Sequence, residues 1–299
     1  MSDDAIQEYA ALKRIQSSIQ QHFFLQLLLL LVGVFFLTNH LNPRLPVYHV
    51  AVMAGCLFIY LISILYRYQQ KKFVRAYKHQ FVSTVIHHIL PETSFEFDKH
   101  LPHNSVIKSG FFLESTLLSG SNLVCCQYQN VQLRFSDIEL QPFPSRVANE
   151  RPIILPGQRF LGIVIEARFN RPFPGTPLMI LHQNMQYLRL PNIYQQTPIE
   201  AIKTLSPEFN QTFYVRGVDQ VMSRKLLQPA LIERITQLAA QQPLSLSFFD
   251  NELFIVLPRM RLAFEAHSFL IPLQHMASQL PQIQASVTLI KTMIDTLAL

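Results

Sequence analysis

Between Phe23 and Leu37 the chain reads FFLQLLLLLVGVFFL, and between Val47 and Tyr66 it reads VYHVAVMAGCLFIYLISILY. With its flanks, His22 and residues 38–41, the first run approaches the roughly 20 apolar residues that an α-helix needs to cross a hydrocarbon core. Only Gln26 interrupts it. The second run is again of spanning length and carries no fixed charge. Between them lies Asn42-Pro43-Arg44-Leu45-Pro46, a link too short for a domain and rich in helix-breaking proline. The pattern predicts a tight transmembrane hairpin over residues 22–67, preceded by an N-terminal helix over 1–21.

Lys and Arg are retained on the cytoplasmic side during insertion, so their placement sets orientation. Arg67, Lys71, Lys72, Arg75 and Lys78 follow the second run, Lys13 and Arg14 precede the first, and the link holds Arg44 alone. Both termini are therefore expected in the cytoplasm. A cleaved signal peptide fits poorly, because Asp3, Asp4 and Glu8 lie in what would be its basic leading region and no A-x-A-like site follows. The five basic residues after the second run also suit contact with anionic headgroups, at about 1 kcal/mol each near the surface. Phe73, Tyr77, Phe81, Val85 and Ile89 recur at helical spacing through this stretch, which predicts an amphipathic stalk over 68–90.

Net charge is +6 over 299 residues, but +5 of it falls in residues 1–80 and only +1 in residues 81–299. The second part lacks the basic footprint that phosphate-backbone binding requires, which argues against nucleic acid as a partner. The three cysteines, Cys56 and the adjacent Cys125 and Cys126, are not the even, spaced set of a disulfide framework and suit a reducing compartment.

Beyond Pro91 the periodicity changes to short β-branched and aromatic runs separated by Pro, Gly, Asn and Ser. Strands are expected at 106–112, 123–128, 131–138, 160–169 and 178–182, with Pro152, Pro156, Pro172 and Pro174 marking loops or edges. Helices are expected over 218–227 and from Pro229 to Ala239, then a hairpin of 244–249 and 253–257 closed by Asp250-Asn251-Glu252. Two last helices, 272–280 and 282–297, are expected to break around Pro281. The fold class is thus α+β: a mixed, mostly antiparallel sheet with flanking helices in one cytoplasmic domain, 91–299, behind a transmembrane hairpin.

Little in the chain carries recognisable chemistry. Eight glycines are scattered, and neither a dinucleotide nor a P-loop glycine pattern occurs. Ser119-Gly120-Ser121-Asn122 lacks the spacing of a nucleophile elbow and reads as a turn. Eleven histidines include His87-His88 and the pair His100 and His103, the latter in an expected loop, but their spacing is not that of a metal site. Cys125 and Cys126 fall on opposite faces of a strand and read as packing. Glu208, Asp219, Glu233, Asp250 and Glu252 read as solvated surface charges. No catalytic residue, cofactor or metal is predicted.

The segment Leu205–Ile235, LSPEFNQTFYVRGVDQVMSRKLLQPALIERI, carries Phe209, Phe213, Val215, Asp219, Arg224, Leu227, Pro229, Leu231 and Glu233. With Ser109-Gly110, Phe135-Ser136, Phe160-Leu161-Gly162-Ile163, Asn251, Phe264-Glu265 and the two apolar runs, it resembles a family of bacterial membrane proteins defined by a domain of unknown function, three-one-three-seven. Ser121-Asn122 and Cys125-Cys126 stand where that family often has an acidic, glycine-containing step. The resemblance implies the bacterial inner membrane, an α+β cytoplasmic domain and the company of LemA-type membrane proteins, and implies no activity. Phe209, Phe213, Asp219, Arg224 and Pro229 are the signature residues singled out for a structural or partner-binding role; Asp219 and Arg224 carry the charge signs that suit the two ends of a short helix.

These readings favour a non-enzymatic, membrane-anchored binding or scaffold protein that presents its cytoplasmic domain to a protein partner. The alternative is an enzyme of unrecognised class acting on a lipid or membrane-linked substrate, which a water-lined cleft with a strongly perturbed acid or histidine would favour. Transport fits less well, since the spans offer only Gln26, His49 and Ser63 to a polar path.

Overall fold

The computed structural model describes residues 3–40, 47–112, 116–142, 159–185, 200–258, 264–271 and 280–297. The expected link 42–46, Pro152, Pro156 and nearly all of the helix expected at 272–280 lie outside the described residues. The chain divides into two units: Met1–Val85 with Phe264–Gln284, and Ile86–Ala263 with Ala285–Leu299.

The first unit is built on α1 (Asp3–His40) and α2 (Val47–Ala76), which pack against each other. α1 buries Leu12, Gln16, Ile19 and Phe23, one stripe at helical spacing. Its other faces leave Phe24, Leu25, Leu28, Leu29 and Phe35 more than half exposed, apolar surface that a bilayer solvates and water does not. One helical segment among the described residues, Ala10–Phe35 of α1, is long and apolar enough to cross a membrane.

α2 covers the second apolar run and passes through a π-helical turn, Tyr77–Val82, into α3 (Ser83–Ile89). That turn corrects the expected stripe. A π turn inserts one residue into the helical repeat and rotates the residues beyond it by about 100°. Phe73, Tyr77, Phe81 and Val85 are buried as expected, but the burial shifts toward Val82, Ile86 and Leu90, each wholly buried, while Ile89 is only half-buried. The Tyr77 hydroxyl is enclosed here without a hydrogen-bond partner, and burial pushes its pKa up to about 12.

Among the described residues the second unit holds nine strands in the order β1-β2-β3-β4-β9-β8-β5-β7-β6. They are β1 (Ser94–Glu96), β2 (Thr116–Tyr128), β3 (Val131–Pro142), β4 (Phe160–Arg168), β5 (Leu178–His182), β6 (Glu200–Ala201), β7 (Phe213–Gly217), β8 (Ser245–Phe249) and β9 (Glu252–Pro258). Every described pairing is antiparallel, so the sheet is not mixed. Short hairpin links force this for β2–β3 and β8–β9, which are joined through two residues each. β4, β5, β8 and β9 are buried on both faces; β4, β5 and β9 read as near-continuous apolar runs, β8 buries Ser245 and Ser247 between its apolar residues, and β7 alternates buried and exposed. At the β8–β9 turn Phe249 pairs with Glu252, so the connection is Asp250-Asn251 alone, with Asp250 at φ 55°.

On one face Ile138, Leu140, Phe160, Val164, Met179 and Val256 pack with Val106 and Ile107 of α4 (His103–Lys108). α4 replaces the strand expected at 106–112. Its β-branched residues suit a strand locally, but a helix places Val106 and Ile107 together on the core, and Gly110 at φ 79° follows it. His103 opens this helix rather than lying in a loop.

Ser119–Asn122 is likewise no turn. These residues run inside β2, where the register with β3 shifts between Ser121 and Val124 and Asn122 adopts φ 62°. This is a bulge, and it uses the same left-handed chemistry as a turn. A Cβ at Gly120 would lie 2.3 Å from the Asp137 carbonyl, so no side chain fits there. Cys126 is buried and Cys125 half-buried, at adjacent positions of the same strand.

The remaining α-helices among the described residues are α5 (Pro207–Thr212), α6 (Gln220–Leu226), α7 (Pro229–Gln241) and α8 (Leu280–Thr296). Pro281 lies in the first turn of α8, where no amide is needed from it, and the segment before it, on which the expected break depends, lies outside the described residues.

Candidate functional site

The signature segment builds a groove between α5 and α7. Ser206 caps α5 by accepting from the Phe209 amide, and Pro207 occupies its first turn. Asn210 fixes the preceding loop: its side-chain oxygen accepts from the Thr204 amide at 3.0 Å, and its Nδ2 donates to the Thr204 carbonyl at 2.8 Å. Between these anchors Leu205 is held wholly exposed, at 102% of its reference area. Phe209 and Phe213 are both buried, with ring centroids 4.8 Å apart, and the Phe213 ring meets His182 edge-on at 5.4 Å. Burial lowers the pKa of His182.

α7 presents two faces. Leu231, Ile235 and Leu238 are buried, a contribution of about 1.5–3 kcal/mol each. Pro229, Ile232, Glu233, Thr236, Gln237 and Ala240 recur at helical spacing and line the groove, opposite Leu205, Ser206 and Glu208. The cavity is about 560 Å³. Its floor is apolar, and two exposed carboxylates, Glu208 and Glu233, flank it.

The other signature residues lie elsewhere. Asp219 caps α6, its Oδ1 accepting from the amides of Val221 at 2.9 Å and Met222 at 3.0 Å. Arg224 is exposed in the last turn of the same helix, where the macrodipole favours a cation. Phe209, Phe213 and Pro229 thus belong to the groove and its support, while Asp219 and Arg224 belong to α6. In the other unit Arg67, Lys71, Lys72 and Arg75 are exposed on α2. Lys78 departs from them: it is buried, with Glu265 3.7 Å away.

A charge ladder runs across β3, β4 and β9 with no counterpart among the sequence expectations. Arg134 Nη2 donates to both oxygens of Glu166, at 2.5 and 2.7 Å, and to Ser105 at 3.2 Å. Arg168 holds Glu252 Oε1 at 2.6 Å, and Lys108 Nζ lies 2.6 Å from its Oε2 and over the Phe249 ring. Glu166 and Glu252 are buried, which corrects the reading of Glu252 as a solvated charge. Burial alone would raise the Glu252 pKa, but Lys108 and Arg168 outweigh it and hold the carboxyl below its ordinary value. The partners are far apart in sequence. Their only local signal is alternation, which places Arg134, Glu166 and Arg168 on strand positions that elsewhere face the core.

A second cavity of about 490 Å³ has Val131, Phe173, Leu226 and Ile294 as its floor and Asn130 and Arg171 among its rim. Among the described residues no group of three or more His, Cys, Asp or Glu converges as a metal site would require.

These features define an α+β protein with a large antiparallel sheet, flanking helices and an N-terminal helix apolar enough to cross a membrane. Over residues 158–299 the chain matches the family described as "Protein of unknown function (DUF3137)", the family that the signature segment resembles. The match covers the groove and stops short of the N-terminal helices. None of the curated proteins matches the chain. Among solved structures it is similar to the crystal structure of the mycobacterial trehalose monomycolate transport factor A, TtfA, at 8% sequence identity and a TM-score of 0.35, covering 69% of this chain and 88% of that one. A likeness of that size carries no inference about function.

Proposed function

We propose that this chain is a membrane-anchored, non-enzymatic binding module that holds a protein partner in the groove between α5 and α7. The observation that carries the reading is Leu205, fully exposed at the edge of an apolar cavity built by the family's signature segment. Leu205 does not stand alone: it lines the groove together with Pro229, Ile232 and Ala240, and a shared apolar surface of this kind marks contact sites where a single exposed side chain does not. The buried carboxylates Glu166 and Glu252 are clamped by cations, and that of Asp137 accepts from the Asn122 side-chain amide at 2.7 Å, which favours a structural role for them over general acid-base work. A LemA-type membrane protein at the bacterial inner membrane is the partner the family resemblance suggests.

The reading places a two-span hairpin over 22–67, a basic stalk over 68–90 and the partner-binding domain over 91–299, with both termini cytoplasmic and with Arg67, Lys71, Lys72 and Arg75 toward lipid headgroups. Support for the hairpin comes from Gln69, whose Nε2 donates to Gln26 Oε1 at 3.0 Å. If α1 and α2 ran parallel through that contact, their linked ends would be about 54 Å apart; antiparallel, about 12 Å. Residues 41–46 reach about 25 Å at most.

A photo-crosslinking amino acid at Leu205 or Glu233 of the full chain, in native membranes, tests the groove. Both positions are expected to give the same single adduct, containing a LemA-type protein, and Val221, exposed on α6, none. Adducts from Val221 and not from the groove would refute the reading. Reporter fusions after Asn42 and after Leu299 test the topology and are expected on opposite sides of the membrane.

A further inference from the structure

We infer that Ser268–Ile271 is a membrane-interface contact, a non-helical segment seated at the boundary between headgroups and acyl chains with Leu270 and Ile271 toward lipid. This goes beyond the proposed function and rests on its reading of α1 as a membrane span.

Four observations, all within the helical unit, carry it. The segment sits where α1 becomes apolar: the Phe269 ring is buried 5.3 Å from Phe23 and 5.5 Å from Tyr66, and the Tyr66 hydroxyl donates to Ser268 Oγ at 3.0 Å. Phe23 is the first residue of the apolar run, and Tyr66 the last residue of the second run before Arg67. Aromatic residues followed by basic ones mark the interface of a bilayer.

The backbone of the segment is supplied with partners by the helices. The Phe269 carbonyl accepts from Gln16 at 2.8 Å and Gln20 at 2.9 Å, and the Ile271 carbonyl accepts from Gln16 at 2.7 Å. The Phe269 amide donates to Gln70 Oε1 at 2.9 Å, the Leu270 amide to Ser268 Oγ at 3.2 Å and the Ile271 amide to the Ser268 carbonyl at 3.0 Å. A surface loop in water has no need of three glutamines for this purpose. Irregular backbone near hydrocarbon does, since each unmet group there costs several kcal/mol.

Leu270 and Ile271 nevertheless remain 42% and 37% exposed, although their neighbour Phe269 is wholly buried. A shallow groove of about 550 Å³ on α1 shows the same boundary. Ser17, Gln20 and Gln21 line one end and Phe24, Leu25 and Leu28 the other. Gln20 belongs both to that groove and to the clamp on Phe269. Arg67, Lys71 and Lys72, all exposed on α2, complement anionic headgroups just beyond Tyr66. Apolar side chains, a backbone supplied with partners at six of its eight polar groups and adjacent cations together fit a bilayer surface.

The chain contains no tryptophan, so Leu270→Trp, Ile271→Trp, Leu28→Trp and Val221→Trp each create a single fluorescent reporter. Each full-length variant is placed in vesicles of phosphatidylcholine with a minority of phosphatidylglycerol, brominated either near the glycerol or near the acyl terminus. Leu270→Trp and Ile271→Trp are expected to emit to the blue of Val221→Trp, to resist iodide, and to lose more intensity to shallow than to deep bromine. If Leu28→Trp is quenched by lipid bromine while both loop reporters are quenched by iodide instead, the inference is overturned and the membrane anchor stands. If Leu28→Trp is not quenched either, the anchor reading falls with it.

Discussion

Glu252 on β9 and Glu233 on α7 are the same side chain under opposite constraints. Glu252 is 2% exposed, and the two cations that neutralise it come from α4 and β4, far away in the chain. Glu233 stands in water at the rim of an apolar groove, its nearest partner the Gln237 amide one helical turn away at 3.2 Å. A carboxylate without water needs its countercharge inside the same unit, because an isolated buried charge is too costly to keep. One left at a rim keeps its field for something that arrives from outside. Glu166 follows Glu252 and Glu208 follows Glu233, while Asp219 stands between the two cases, exposed but committed to capping a helix.

Removing each carboxylate should therefore give a graded series. Glu252→Ala heads it, with an expected loss of about 3 kcal/mol in chemical unfolding of the full chain in detergent, since Lys108 and Arg168 lose a shared partner. Partial exposure of both cations keeps the figure at the low end of the range for broken buried pairs. A loss under about 0.5 kcal/mol, the ordinary effect of a surface substitution, would erase the contrast between the two regions.

The pH dependence sharpens the same point. The folded-state pKa of Glu252 lies below its ordinary value of 4.5, so the unfolded chain binds the proton more tightly. Its stabilising contribution is complete above that ordinary value and is lost as pH falls through the lowered folded value. Glu252→Gln is expected to be less stable than the parent at neutral pH and to close the gap as pH falls below the ordinary value of 4.5 and through the lowered folded value. Parallel stability curves through that window would mean the ion pairs contribute nothing specific.

Asp219→Ala is next, at about 1 kcal/mol, the usual value of an N-cap that satisfies two amides. Asp219→Asn retains an acceptor and should recover most of it. Failure of Asn to rescue would show that the charge of Asp219 matters beyond the cap.

How far the sequence foretells each feature depends on how local its cause is. The apolar run of α1, the strands at 131–138, 160–169 and 178–182, and the β8–β9 hairpin rest on composition and periodicity within a few residues, and they form close to where the sequence places them. The Asp219 cap is a short-range feature of the same kind. The features that sequence leaves hidden depend on contacts across the chain. α4 is helical because the sheet offers a core for Val106 and Ile107 together, not because its residues prefer helix. Ser119–Asn122 has turn chemistry spent on a bulge that only the pairing with β3 reveals. The Glu252 ladder joins residues 84 positions apart, and the glutamine clamp joins Gln16 to a segment 253 positions away. The groove is half visible: Phe209, Phe213 and Pro229 stand out in the signature segment, but Leu205 gives no sign in sequence that it will be held in water.

The smallest expected effect on stability is the most informative about function. Glu208→Lys with Glu233→Lys reverses both rim charges without touching the buried faces of α5 or α7, so stability should stay within about 0.5 kcal/mol of the parent. The adduct from a photo-crosslinker at Leu205 should nevertheless disappear, because like charges set against a partner's complementary surface cost several kcal/mol of association. A partner selected by apolar fit alone would still be captured after this reversal and would be lost with Ile232→Asp, which puts a charge on the groove floor. Survival of the adduct in both variants would remove the groove as the contact surface, and with it the distinction between carboxylates that hold the fold together and carboxylates that face a partner.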